Sequence, residues 1–109
     1  PGVLRAAEMT GMKTPAECTT MADIRAEIDR IDKDLIDMFA ARACYIDRAA
    51  EVKAGIGLPA RITNRVEEVV SNVRAHAVTR GIDPDLAEKL WRKLIEWSIA
   101  REEDALGKD

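Results

Sequence analysis

The stretch that decides the fold begins Met21-Ala22-Asp23-Ile24-Arg25-Ala26-Glu27-Ile28-Asp29-Arg30-Ile31-Asp32 and continues to about Lys53. Ile24, Ile28, Ile31, Leu35, Met38, Tyr45, Ala49 and Val52 recur in it at spacings of three, four or seven. That is the period of one helical face, because residues three and four apart stack over one another on an α-helix. Thr19 or Thr20 offers a side-chain oxygen to the first free N–H groups, and Asp23 sits in the first turn, where the helix dipole favours an acid. Gly55 and Gly57 stop the pattern, and Pro59 prevents a simple restart. About 33 residues at about 1.5 Å each predict a rod roughly 50 Å long.

Working outward, residues 55–63 read as a connection. A second helix is expected from about Asn64 to Thr79, with Val66, Val69, Val70, Val73 and Ala77 as its apolar stripe and Gly81 as its stop. Asp83-Pro84 then supplies an N-cap followed by proline at the first helical position. The third helix carries Leu86, Leu90, Trp91, Leu94, Ile95 and Ile99 to about Leu106. Upstream, Gly2, Gly11 and Pro15 interrupt any period, so residues 1–17 read as an N-terminal tail and residues 18–109 as one helical domain. The expected fold class is all-α, with three helices, one of them very long.

Composition agrees. The chain has 109 residues, 47% hydrophobic and 34% charged, which is globular rather than disordered. Trp91, Trp97, Tyr45 and Phe39 are its only aromatic residues, too few for a β-sandwich. A net charge of −3 argues against a general nucleic-acid binder. One histidine, His76, two cysteines, Cys18 and Cys44, and the absence of CxxC and HExxH pairs argue against zinc chemistry. Both cysteines read as reduced thiols, with Cys44 expected to pack inside. His76 reads as an exposed helix residue, and the two tryptophans as core or interface fillers. No apolar run is long enough to span a membrane, and no signal-peptide stretch opens the sequence, so a cytoplasmic location is expected.

A second helix of about 16 residues covers only about 24 Å of a 50 Å rod. A two-fold dimer packing the long helices together would cover the rest of the stripe, and a homodimer is therefore expected. Cations interrupt that stripe. Arg42 stands where a hydrophobe belongs, and Lys53 follows 11 residues later, about 20° from the same face and about 16 Å along it. The pair admits two readings: snorkelling surface cations, or a clamp for a small dianion. Arg25 lies roughly 25 Å from Arg42 along the axis, too far for both to hold one small ligand within one chain. An antiparallel dimer could bring them together. Arg61 and Arg65 flank the start of the second helix, where free N–H groups also favour anions. Ser98 and Glu102 are four apart and continue from Leu94 and Ile95, which would turn them inward. Glu102 within Arg101-Glu102-Glu103-Asp104 also reads as a solvated charge.

The opening from Met21 to Asp32, with the Arg25, Arg42, Lys53 and Arg65 spacings and Leu94-Ile95-Glu96-Trp97-Ser98-Ile99, resembles the all-helical chorismate mutases over about residues 18 to 106. The resemblance implies an intertwined helical homodimer with two sites, each built from both chains, acting on the dianion chorismate in the aromatic amino-acid branch of the shikimate pathway. It implies that Arg25 of one chain binds a substrate carboxylate in its partner's site and that Arg42 binds the other carboxylate. It further implies that Lys53 meets the ether oxygen, that Arg65 supports the carboxylates, and that Ser98 lies near the substrate. Glu102 falls where many members carry a glutamine that donates to the ether oxygen. The implied reaction, chorismate to prephenate, is pericyclic and needs no metal, nucleophile or cofactor. It needs a site that selects the folded conformer and stabilises charge growing on the ether oxygen.

Three residues depart from that pattern. Ile62 and Val66 stand where mutases place an aspartate and a glutamate that contact the ring hydroxyl, and Glu102 replaces the amide. The related isochorismate-pyruvate lyases, which make salicylate and pyruvate, share the fold, an apolar residue at the Val66 position and an opening similar to Lys13-Thr14-Pro15 through Cys18. They are the alternative expectation. Ser98 and the length of the 55–63 connection favour the mutase. A non-enzymatic helical dimerisation module is the third reading, and it leaves the inward cations unexplained.

Overall fold

The computed structural model describes residues 12–107. Three α-helices follow one another: α1 Met21–Ile56, α2 Thr63–Arg80 and α3 Pro84–Leu106. Among the described residues there is no β-strand, and no helix is long and apolar enough to cross a membrane. Residues 1–11 of the expected tail lie outside the described residues. Within the remainder, Pro15–Glu17 form a 3₁₀ turn, closed by the Thr14 N–H donating to Glu17 Oε1 at 2.8 Å.

Helix termini follow local chemistry. Thr20 caps α1, its Oγ1 accepting from the Asp23 N–H at 3.1 Å. Asp23 in turn accepts from the Thr19 N–H and from Lys13 Nζ, both at 3.1 Å. Those bonds, the Thr19 amide foremost, hold its carboxyl down at about 2. Gly55 does not end α1. The helix runs on to Ile56, and Gly57 closes it at φ +73, a left-handed conformation open to glycine, with the Leu58 N–H reaching back to the Lys53 carbonyl at 2.9 Å. Gly81, at φ +76, ends α2 in the same way, the Ile82 N–H donating to the Ala77 carbonyl at 2.9 Å. Asp83 accepts from the Asp85 N–H at 2.9 Å, and Pro84 takes the first position of α3.

The chain divides after Arg42, inside α1, into two units. In the unit that ends at Arg42, the helical stripe is open: Ile24, Ile28, Ile31 and Leu35 are each 38–51% exposed. The unit beginning at Ala43 holds the core, a cluster of Ala60, Val70, Ile95 and Ile99 flanked by Val66, Val69, Trp91 and Leu106. Burying each of the larger aliphatic side chains contributes about 1.5–3 kcal/mol. Two ion-pair braces tie α2 to α3. Arg92 contacts Glu67 and Glu88, and Arg74 contacts Glu88 and Asp85.

Two local expectations change. Cys44 is exposed rather than packed inside. The only buried residue of α1 is Ala50. Six residues at about 100° each put Cys44 about 120° away from Ala50's face. For the same reason Tyr45 and Val52, read as stripe positions, are open in a single chain. Trp91 joins the core, whereas Trp97 is half exposed beneath the Arg101 guanidinium, 5.3 Å from its ring centroid. His76 is exposed.

Candidate functional site

Glu102 shares a face of α3 with Ile95, Ser98 and Ile99, and that face is the buried one. One turn separates Ser98 from Glu102, so burying the apolar members carries both polar side chains inward. Ser98 is 3% exposed and Glu102 5%. The serine hydroxyl donates to the Leu94 carbonyl at 2.8 Å, within its own helix. The solvated reading of Glu102, which its charged neighbours suggested, is therefore not the one the fold adopts.

Lys53 meets Glu102 from α1. Its ammonium lies 2.8 Å from Glu102 Oε1, with the side chains 18% and 6% exposed. It also donates to the Ala60 carbonyl at 2.7 Å. Glu102 Oε1 is fully buried and has no partner in hydrogen-bond geometry among the described residues. At so short a distance the opposite charges attract whatever the angle, so the contact is an ion pair rather than a hydrogen bond. The result is a nearly buried ammonium held from two sides, with acceptor capacity left unused on the carboxylate.

A second contact supports the same docking. Arg101, next to Glu102, forms a bidentate pair with Asp47 on α1, Nε to Oδ1 at 2.6 Å and Nη2 to Oδ2 at 2.9 Å. The guanidinium pulls the Asp47 carboxyl below its ordinary value. Asp47 and Arg101 carry no periodic signal in the sequence. The Ala60 carbonyl carries none either, since a backbone group leaves no trace in residue type.

The other anticipated residues are placed as follows. Arg65 is exposed on α2, its guanidinium 2.7 Å from Glu68 one turn along. Arg61 forms a bidentate pair with Glu96 on α3. Its bonds to Glu96 raise the Arg61 guanidinium and lower the Glu96 carboxyl from their ordinary values. Ile62 precedes α2 and is half-buried, and Val66 packs against the core cluster. Arg25, exposed, and Arg42, half-buried, belong to the unit ending at Arg42. Within one chain the structure thus brings Lys53 to Glu102, with Ser98 one turn away on the same buried face of α3. No cluster of metal-ligating side chains occurs among the described residues.

Residues 24–103 match the family described as chorismate mutase type II. The chain is 37% identical over 92 residues to an isochorismate pyruvate lyase of Pseudomonas aeruginosa, covering 84% of this chain and 89% of that protein. It is 34% identical over 89 residues to a T-protein of Enterobacter agglomerans, of which it spans 23%. A chorismate mutase of Methanocaldococcus jannaschii is 27% identical over 86 residues, covering 79% of this chain and 87% of that protein.

Proposed function

Because the chain belongs to the chorismate mutase type II family, we propose that it binds chorismate and rearranges it to prephenate. The observation that carries this reading is the Lys53 ammonium, on a mostly buried side chain and fixed between the Ala60 carbonyl and the Glu102 carboxylate. A cation held in place before the reaction does not reorganise when charge grows on the ether oxygen, which is how such a donor lowers a barrier. Lys53 is the catalytic donor in this reading. Arg42 and a partner's Arg25 hold the two carboxylates, Arg65 supports them, and Ser98 borders the substrate. Substrate binding then folds the molecule toward its reactive conformer, and conformer selection does the remaining work. The reading needs no cofactor and belongs to cytoplasmic aromatic amino-acid synthesis.

The site is shared between two chains in this reading. Support comes from two apolar faces left open: Ile24, Ile28, Ile31 and Leu35 on α1, and Leu86, Leu90 and Trp97 on α3, the latter 49–53% exposed. Contiguous exposed apolar faces mark protein–protein contacts, and most soluble oligomers are symmetric assemblies of one chain.

A second reading, isochorismate-pyruvate lyase, is favoured by the 37% identity to the Pseudomonas protein of that name and by apolar Val66. Both reactions break an ether bond in a dianionic ring compound, so the Lys53 geometry serves either. Purified protein incubated separately with chorismate and with isochorismate decides. Prephenate from the first supports the mutase, salicylate with pyruvate from the second supports the lyase, and no product from either defeats both.

A further inference from the structure

We infer that Arg61 and Glu96 are positioning residues for Lys53, because their ion pair fixes the peptide whose carbonyl orients the Lys53 ammonium. The inference rests on the reading of Lys53 given above.

The Ala60 carbonyl belongs to the planar peptide joining residues 60 and 61, so its direction is set once both flanking residues are fixed. On one side, Ala60 is 7% exposed and its methyl sits in the core cluster with Ile95. On the other, Arg61 grips Glu96 with two parallel bonds, Nη1 to Oε2 at 2.9 Å and Nη2 to Oε1 at 2.5 Å. Ile95, a member of the same cluster, directly precedes Glu96 on α3, so the peptide is held by the core on one side and by the ion pair on the other. The carbonyl between Ala60 and Arg61 accepts from Lys53 Nζ at 2.7 Å.

The consequence follows from donor counting. An ammonium has three N–H groups. One goes to Ala60, and the Glu102 carboxylate draws the charge from a second side. What remains points where these two leave it. Without the clamp, the 60–61 peptide can rotate and the free N–H turns with it. An exposed ion pair of this kind ordinarily adds little to stability. Its effect on the aim of a catalytic donor is larger, since small misplacements cost rate steeply. The same contacts explain why Arg61, placed by sequence beside a helix start suited to anions, is engaged by Glu96 instead of standing open for a substrate anion.

The test uses Arg61→Ala, Glu96→Ala and the charge-swapped double variant Arg61→Glu with Glu96→Arg. On whichever substrate the wild type turns over, each single variant is expected to lower kcat about five- to tenfold with KM within about twofold. The swap is expected to recover most of the loss. A second readout needs no activity. The side-chain ¹⁵Nζ resonance of Lys53, assigned through Lys53→Arg, should shift and its ammonium protons should exchange faster in both single variants. If the wild type turns over neither chorismate nor isochorismate, the proposed function fails and the Lys53 resonance alone decides the positioning role. Singles that lower thermal stability while leaving kcat and the Lys53 resonance at wild-type values overturn the inference.

Discussion

Replacing Lys53 by methionine, Glu102 by methionine, and both together separates what the ion pair does for the fold from what Lys53 does for the reaction. At 2.8 Å and an effective dielectric constant of about 20, the gross attraction is about 6 kcal/mol. Removing both charges from water offsets much of it. Lys53→Met leaves a carboxylate that is 6% exposed without its counter-charge and removes the donor to the Ala60 carbonyl. An uncompensated buried charge costs about 3–5 kcal/mol, a large part of the about 5–15 kcal/mol by which such a domain is stable. Glu102→Met leaves the ammonium bonded to Ala60 on a side chain that is 18% exposed even beside Glu102, so water can reach it and the expected loss is smaller, about 1–3 kcal/mol. The double variant strands neither charge and should lie within about 2 kcal/mol of wild type.

Urea unfolding at one fixed protein concentration measures each ΔG, with m unchanged as the sign that the native state is intact. The cycle should return a coupling of at least about 2 kcal/mol, because the double variant loses less than the two singles together. Losses in the double variant equal to the sum of the singles would refute the buried pair. Turnover should behave oppositely. Lys53→Met and the double variant should both lose about 10²-fold or more in kcat, because restoring stability does not restore the donor. A change confined to KM would mean that Lys53 binds ground and transition states alike.

Further outcomes follow from the same contacts. Mixing an inactive Arg25→Ala chain with an inactive Arg42→Ala chain should restore some activity, since one site of the heterodimer collects both lesions and the other none; no recovery after proven subunit exchange rules out shared sites. Glu102→Gln places an N–H donor where the carboxylate only accepts, so turnover at neutral pH should rise, and an unchanged rate would remove Glu102 from the reaction. Asp23, Asp47, Glu67, Glu88 and Glu96 all have carboxyls below their ordinary values in the fold. Their contribution is therefore complete above the unfolded carboxylate range near pH 4 and is lost as pH falls through the folded values, about 2 for Asp23. Thermal midpoints should fall below about pH 4.5, and a midpoint flat down to pH 2 would contradict this. Ile99→Ala, in the core cluster at 5% exposure, should cost about 2–5 kcal/mol in the same urea assay, and a loss under 1 kcal/mol would show that the cluster is not the core.

The helices were readable because their determinants are local. The Thr20 cap, the Asp83-Pro84 start and the left-handed closures at Gly57 and Gly81 each lie within a few residues of the boundary they set. Gly55 misled by two residues for a physical reason. Glycine in a helix costs about 1 kcal/mol but does not stop it, whereas the αL residue is the one that does. The fate of the α1 stripe was less readable. Its period marks a face that requires cover, yet only Ala50 is buried by the chain's own core. Periodicity reports the sum of all partners and cannot assign each residue to one of them.

The site divides along the same line. Ser98 and Glu102 could be turned inward by register alone, because they continue the face of Ile95. Helical geometry could align Lys53 with Arg42 but could not identify what holds the ammonium, since Ala60 and Glu102 lie 7 and 49 residues further along the chain (60 − 53 and 102 − 53). Charge pattern pointed the wrong way at two places. Arg101-Glu102-Glu103-Asp104 looks uniformly solvated, yet Arg101 covers Trp97 and grips Asp47 while Glu102 is buried. Arg61, placed by sequence beside a helix N-terminus, finds Glu96 across the fold instead. In both cases a charged side chain is committed by a partner distant in sequence. Such pairings cost little to form at the surface, so nothing in the local pattern needs to record them. A buried charge such as Glu102 is different. Its desolvation must be met by a counter-ion, so a carboxylate placed on a core face by register already implies a cation facing it. That step leads from Glu102 to the short set of cations already aligned on the first helix, and Lys53 is the member of that set that the fold selects.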